Sequence, residues 1–365
     1  MASADFLTDP ADLLRTRWSE GPRTGVPPGS IVVALDRFAL TANNLTYAKF
    51  GNAFRYWDYF PAPPGWGRVP VWGIGRVIQA GGDGPAEGER VYGFFPISDT
   101  VVLVPEMKSR RGFVDAAPHR AQLPPTYNEY VLIDRDPDYD ETLAAAHLVL
   151  RPLFSLGFFL AGWLEEEGFF GAERVIVSSA SSKAALALAY QLRGRIGLVG
   201  LTSPGRLNAV AAAGLFDRVI AYSDIPGAPA LNDVAAIFAD IAGDPALRRT
   251  VHASIGPMLV RSIGIGATRG ADAQQSIDTD EALAGPRPEF FFAPAHILRL
   301  RERWGAALLR ERLGKSWTEF LRHSAGWLRF AKFSGKAEIA RVYDEVARGT
   351  APSDTAAILV APHAD

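Results

Sequence analysis

The chain has 365 residues, 48% of them hydrophobic and 21% charged, with a formal net charge of −2. That length suits two domains, that composition excludes a disordered chain, and the near-neutral charge argues against nucleic acid or an anionic membrane as main partner. Cysteine is absent, which removes disulfides, thiolate nucleophiles and cysteine-bound zinc; with six histidines and no i, i+4 pair among them, no metal site is expected.

The first residues, MASADFLTDPADLLRTRW, lack a basic start followed by an apolar core, so a secretory signal is not expected. From Ile31 to Ile133 the runs IVVALDRFAL, VPVWGIGRVIQAG, ERVYGFF, TVVLVP and NEYVLID predict strands. Gly73, Gly75, Gly81, Gly82 and Gly93 mark the places where a barrel-like sheet bends. Between the last two runs, RRGFVDAAPHRAQLPPTYNEY reads as a long polar loop holding Arg110, Arg111, Asp115, His119, Arg120, Tyr127 and Asn128. Within it His119 and Asp115 are a candidate acid–base pair, although Pro118 opposes a continuous helix. An alternative role for most of these residues is structural ion pairing.

After Tyr139 the texture changes. PLFSLGFFLAGWL is too short to span a membrane and predicts a buried helix. Single apolar strands (VIVS, IGLVGL, RVIAY, AAIFADIA, MLVRSIGIGA) then alternate with helical stretches, the pattern of a parallel sheet with right-handed crossovers. Pro286 to Ser324 predicts a helical extension, and the tail predicts a strand in WLRFAKF, a helix in AEIARVYDEVARG and a strand in AAILVAP. The expected division is residues 1–140 with 325–365 as a β-rich domain and 141–324 as a dinucleotide-binding domain.

The stretch RVIVSSASSKAALALAYQLRG carries the most chemistry. A β-branched run ends in a polar turn that opens directly into a helix, where unpaired N–H groups and the helix dipole favour an anion. Lys183 in the first helical turn opposes that dipole by roughly 0.3–1 kcal/mol, and a bound anion would reverse the sign. Ser179, Ser181 and Ser182 offer hydroxyls beside it. The plain alternative is a strand–turn–helix with a serine cap and a solvated lysine. The second strand ends in Thr202-Ser203-Pro204-Gly205-Arg206, without the acid that would hold a ribose 2′-OH; Ser203 and Arg206 instead suit a 2′-phosphate. Tyr222 follows the third strand. Asp240 and Gly243 end the fourth, and Gly264, Gly266 and Thr268 end the fifth, where a nicotinamide would lie; a buried acid capping a turn is an equally common role for Asp240.

Three segments together resemble the medium-chain dehydrogenase/reductase superfamily. VWGIGRVIQAGGDGPAEGERVYGFFP is similar to its glycine-bent strand followed by a G-D/E-R-V turn, here Gly88 to Val91. YNEYVLID is similar to its A-E-Y strand, and RVIVSSASSKAALALAYQLR to the V-L-V-x-G-A-S-S-G-V-G turn of its zinc-free quinone and enoyl reductases. Phrases such as ALTANNLTYAKFG, RYWDYFPAP and PEFFFAP resemble one bacterial branch known only as a domain of unknown function. The resemblance implies an α/β fold: a β-rich GroES-like catalytic domain plus a doubly wound, parallel-sheet Rossmann nucleotide domain. It also implies NADP(H) as cofactor. The chain departs from it at the turn glycines, which are Ser179, Lys183 and Ala185 here.

Related zinc-free reductases carry polar residues or tyrosine after an early strand, and Asn43, Asn44 and Tyr47 stand at that place; Tyr47 is the first choice of proton donor. Tyr56, Trp57 and Tyr127 are expected to line an apolar substrate pocket, and a plain core role is open for Tyr56 and Trp57. The expected function is a metal-independent, cytoplasmic NADPH-dependent oxidoreductase acting on an activated double bond, quinone or carbonyl of a small molecule. A non-redox lyase or hydrolase built on the polar loop, or a non-catalytic NADPH-binding protein, are the alternatives. The resemblance further implies a homodimer formed through a sheet edge, for which MLVRSIGIGA is the apolar candidate.

Overall fold

β-Branched runs broken by glycine and proline have nowhere to bury both faces except in a curved sheet, and the first half of the chain forms one. The computed structural model describes residues 2–22, 26–137, 139–265, 283–324, 328–352 and 355–361. It divides into two units, Met1–Val149 with Leu328–Asp365, and Leu150–Trp327.

The first unit opens with a hairpin of β1 (Ala2–Thr8) and β2 (Thr16–Pro22). A nine-stranded sheet follows, made of β3 (Ile31–Leu40), β4 (Pro70–Gln79), β5 (Arg90–Pro96), β6 (Thr100–Leu103), β7 (Pro105–Ser109), β8 (Gly112–Asp115) and β9 (Glu129–Leu132). The late strands β16 (Arg329–Ser334) and β17 (Thr355–Val360) complete it. Its order is β16-β17-β3-β4-β5-β9-β8-β7, with β6 pairing β3, so the C-terminal strands return beside the first long one. Register shifts between β3 and β4 bend the sheet. Gly93 lets β5 pass beneath the Tyr130 ring, which a Cβ at that position would overlap.

Two parts of this unit differ from the sequence expectation. The hairpin β1–β2 went unread because its strands are half polar. Its anchor is tertiary: Phe6 is buried between Trp18 and Tyr343, with ring centroids 5.2 and 5.0 Å away. The Phe6 N–H also bonds the Ile97 carbonyl at 2.9 Å. The polar segment after Val104 is only partly loop. Glu106 pairs with Val114 and Met107 with Phe113, so β7 and β8 form a hairpin whose tip carries Arg110 and Arg111.

In the second unit every strand is parallel: β10 (Arg174–Val177), β11 (Gly197–Thr202), β12 (Arg218–Ala221), β13 (Ala236–Asp240), β14 (Leu259–Gly264) and β15 (Pro288–Phe290). The order β12-β11-β10-β13-β14-β15 places the first strand of the unit at the centre, with the chain running outward on each side. The helices are α1 (Ala42–Lys49) in the first unit, α2 (Ala144–Glu166) running from the first into the second, then α3 (Lys183–Leu192), α4 (Leu207–Ala212) and α5 (Pro245–Ile255). Helices Ala293–Trp304 and Ala306–Ser324 follow β15, and Lys336–Arg348 lies between β16 and β17.

The stretch Glu141–Glu166 is, among the described residues, the one helix long and apolar enough to cross a membrane, and 61% of its most apolar window is buried within the protein. The segment expected to pair two copies is corrected: β14 is not an edge, because Ser262, Ile263 and Gly264 are already paired to β15.

Replacing Phe6 with Ala is expected to cost about 3–5 kcal/mol, the loss typical of a buried aromatic. Urea unfolding of the full chain measures it; a loss below about 1 kcal/mol would show that the hairpin is only loosely attached.

Candidate functional site

The carboxyl ends of β10, β11, β12, β13 and β14 lie along one edge of the parallel sheet, since Val177 is level with Gly200 and Ala239, Thr202 with Ala221, and Asp240 with Gly264. Ser179, Ser203, Tyr222, Asp240 and Gly243 are therefore gathered at the edge where ligands bind in such sheets. Gly264 is buried there as the last residue of β14, and Gly266 and Thr268 lie outside the described residues.

The bend after β10 is fixed from beneath. Ser178 is fully buried; its hydroxyl donates to Asp240 Oδ1 at 2.9 Å and accepts the N–H groups of Ile241 and Ala242, both at 2.9 Å. Asp240 Oδ1 also accepts the Gly243 N–H at 2.9 Å, and Oδ2 pairs with Arg248 Nε of α5 at 2.9 Å. Removing this carboxylate and guanidinium from water costs several kcal/mol per ion, which the close pairing and the added hydrogen bonds offset. The expectation that Asp240 meets a ligand is corrected. Its oxygens are spent inside the protein, and it shapes the bend instead.

Ser179 has φ 54°, the left-handed region where glycine is the usual residue. Such a residue costs on the order of 1–3 kcal/mol and persists only when its surroundings hold it. Here the Tyr222 hydroxyl accepts the Ser179 N–H at 3.0 Å, a latch from the end of β12, two strands away. Burial pushes the Tyr222 phenol up, so it stays protonated at neutral pH. Next, Ser182 caps α3 by accepting the Ala185 N–H at 3.2 Å, and Lys183 is the first helical residue. Ser181, Ser182 and Lys183 are half-buried, while Ala185, in the place of a glycine, is fully buried. A Cβ at Gly200 would lie 2.9 Å from Ala180, so β11 too comes close to this bend. Beyond β11, Ser203 is exposed and precedes a 3-10 turn, Pro204–Arg206, whose last residue Arg206 is half-buried.

The second gathering is aromatic and belongs to the first unit. Thr41 and Asn44 form a capping box at the start of α1. The Asn44 side chain accepts the Thr41 N–H at 2.8 Å and donates to the Pro70 carbonyl at 3.0 Å. Asn44 is thereby corrected from a catalytic candidate to a helix cap. Asn43, one turn before Tyr47, faces that tyrosine: Asn43 Nδ2 donates to Tyr47 Oη at 2.9 Å, and Trp72 Nε1 of β4 donates to the same oxygen at 3.1 Å. The Tyr47 ring lies 4.9 Å from Tyr56, 5.2 Å from Phe94 and 5.8 Å from Tyr127, centroid to centroid. The hydroxyls of Tyr56 and Tyr127 are 3.0 Å apart. Burial pushes the phenols of Tyr47, Tyr56 and Tyr127 up, and all three are neutral acids near pH 7.

Of the two roles open for Trp57, the structure shows the core one. Its indole fills the space above Gly51 and Gly67, where a Cβ at Gly67 would stand 2.6 Å from the ring, and it packs on the sheet core.

The acid–base pair read in the polar segment does not form. Pro118 opens a 3-10 turn, Pro118–Arg120, that sends His119 outward and Arg120 inward. His119 is exposed, with Nε2 3.4 Å from the Tyr59 carbonyl. Asp115 pairs with Arg120 Nε at 3.0 Å instead, both side chains being at most 2% exposed. Its Oδ1 accepts the N–H groups of Val104 and Ala117, and Arg120 reaches Tyr130 Oη at 3.2 Å. Trp72, Arg120 and Arg248 are the important residues the sequence reading missed or undervalued. A period-two count along PVWGIG places Trp72 opposite Val71 and Gly73, which could have flagged it; nothing local marks Arg248. Among the described residues no group of three His, Asp or Glu side chains is placed to hold a metal ion.

The model of a family described as a protein of unknown function, DUF2855, matches residues 38–352. No curated protein matches the sequence. Among solved structures the chain is similar to CurA from Vibrio vulnificus in complex with NADPH, at 10% identity, 100% coverage of both chains and a TM-score of 0.62. It is also similar to the quinone oxidoreductase from Coxiella burnetii, at 12% identity, 99% coverage of both and a TM-score of 0.57. The yhdH oxidoreductase from Salmonella enterica in complex with NADP gives 12%, 99% of both chains and 0.54. The shared property is the fold: a GroES-like β-rich part and a Rossmann part.

Asp115→Ala strands the Arg120 charge in the core and is expected to cost about 3–5 kcal/mol, whereas His119→Ala stays within about 0.5 kcal/mol. Paired urea titrations compare them. Equal losses would mean that His119, not Arg120, is the partner of Asp115.

Proposed function

The chain belongs to the DUF2855 family, and from that premise we propose that it is a metal-independent, NADPH-dependent oxidoreductase. The reading rests on one observation above others, the strained, serine-rich bend from Ser178 to Lys183, tied down by Asp240, Arg248 and Tyr222 at the carboxyl edge of a parallel sheet. A left-handed serine held in place at the start of a capped helix is stored strain at an anion-favouring position.

The residues present suit a dinucleotide. Ser179, Ser181, Ser182 and Lys183 would hold its diphosphate, with the Lys183 ammonium and the positive end of α3 both favouring negative charge. Tyr222 both braces the bend and carries a proton that its bond from Ser179 leaves available for a phosphate oxygen. Ser203 and Arg206 would take a 2′-phosphate, and no carboxylate stands in the turn after β11 to select the 2′-OH. When bound, NADPH supplies a hydride.

Tyr47 supplies the proton. It is buried, protonated and surrounded by rings, and both of its hydrogen-bond partners are donors, so neither takes its hydrogen. Tyr56, Tyr127 and Phe94 favour a planar, conjugated acceptor such as a quinone or an enone. The lyase or hydrolase alternative loses its candidate acid–base pair, because Asp115 is committed to Arg120.

NADPH is expected to bind at least about tenfold more tightly than NADH, a difference near 1.4 kcal/mol. Arg206→Ala should abolish the preference by weakening NADPH alone, as measured by cofactor fluorescence; equal effects on both cofactors would defeat the 2′-phosphate assignment. In a turnover screen of quinones, enals and enones, Tyr47→Phe should lower kcat by about a hundredfold. A general acid works only while protonated, and burial raises this phenol above its ordinary value of 10.0. The rate should therefore hold level through pH 10 and decline only beyond it. An alkaline decline near pH 8 would point to another acid.

A further inference from the structure

A buried phenol that gives up its proton leaves a phenolate in a place with little water to solvate it, so what surrounds the oxygen decides whether the step can occur. Around Tyr47 Oη the arrangement is specific. Asn43 Nδ2 approaches at 2.9 Å from one turn earlier on α1, and Trp72 Nε1 at 3.1 Å from β4. An indole nitrogen can only donate, and the Asn43 amide presents its nitrogen. Two donors on one phenol oxygen occupy both of its acceptor positions and leave the O–H bond pointing away from them.

We infer that Asn43 and Trp72 form a two-donor cradle that aims the Tyr47 proton at the acceptor and holds the phenolate its departure leaves behind. The inference rests on the reductase reading. In that reaction the Tyr47 O–H bond breaks and its electron pair stays on the phenol oxygen. The proton joins the acceptor, which also gains the hydride that the cofactor loses, and water afterwards returns a proton to Tyr47. Asn43 and Trp72 are positioning residues, acting through Tyr47 rather than on substrate.

Among the described residues, burial and the two donors are what act on the Tyr47 phenol. The titratable groups facing Tyr47 are the phenols of Tyr56 and Tyr127, from the 3-10 turns Tyr56–Tyr59 and Pro125–Tyr127. β5 presents Phe94 and β4 the Trp72 ring, which stacks on Tyr92 with centroids 5.6 Å apart. Charge developing on the Tyr47 oxygen is met by the two N–H groups. Burial pushes the phenol up while the two donors pull it back, the balance such a cradle produces.

The test reads the phenol itself. Difluorotyrosine is incorporated in place of Tyr47 in the full chain, and fluorine NMR follows its ionisation with pH in the parent, Trp72→Phe and Asn43→Leu backgrounds. Trp72→Phe keeps a ring against Tyr92 while removing the donor and part of the indole, and a thermal melt of each variant establishes that it is folded. Each loss of a donor should lower the acid dissociation constant about tenfold, the size expected for one charge-assisted hydrogen bond. With an acceptor that turns over, kcat should fall in both variants while KM stays within about twofold, and the alkaline limb should move up with the fluorine titration. Ionisation unchanged within about twofold in both folded variants, or made easier, would overturn the cradle whether or not the protein reduces anything. A shifted titration in a protein that neither binds NADPH nor reduces any acceptor would uphold the cradle and sink the reductase reading alone.

Discussion

One carboxylate holds the carboxyl edge of the parallel sheet together. Asp240 ends β13, yet through Ser178 it fixes the end of β10, through the Gly243 N–H it closes its own turn, and through Arg248 it fastens α5 beneath both. All of these groups are buried, so each bond is made in a medium where leaving one unmade is costly. The bend carrying Ser179 to Lys183 therefore has a rigid floor. A strained serine is tolerable above that floor because the strands on each side cannot relax away from it.

The first unit uses the same economy of buried polar groups for another end. Asp115 and Arg120 make its floor, with Tyr130 and the cation–π face of Phe60, 4.6 Å from the guanidinium, closing the sides. Above it the phenols of Tyr47, Tyr56 and Tyr127 are packed ring to ring and kept neutral by lack of water.

Much of this is legible in the amino-acid sequence. The strands, the parallel alternation and the capped helix at Ser182 follow from β-branched runs, periodicity and one serine, all local signals. The turn-end positions Ser179, Ser203 and Tyr222 were legible as well, since residues after parallel strands share an edge by geometry. What local chemistry could not settle was partnership. Asp115 chose Arg120 over His119 because a single 3-10 turn decides which of two neighbouring side chains faces inward. Asn43 and Asn44 are chemically identical, and only the docking of α1 on Pro70 tells the cap from the residue that touches Tyr47. The hairpin at the start of the chain escaped for a related reason: Phe6 makes sense only beside Tyr343, more than three hundred residues away.

Where a glycine at Ser179 would have given the bend its shape intrinsically, the serine borrows that shape from Tyr222, on a different strand's end. The loop is therefore not an autonomous module. Its conformation is conditional on a side chain from the end of a strand two places away in the sheet. Whatever draws the Tyr222 hydroxyl away removes the bond that holds the strained Ser179 in place.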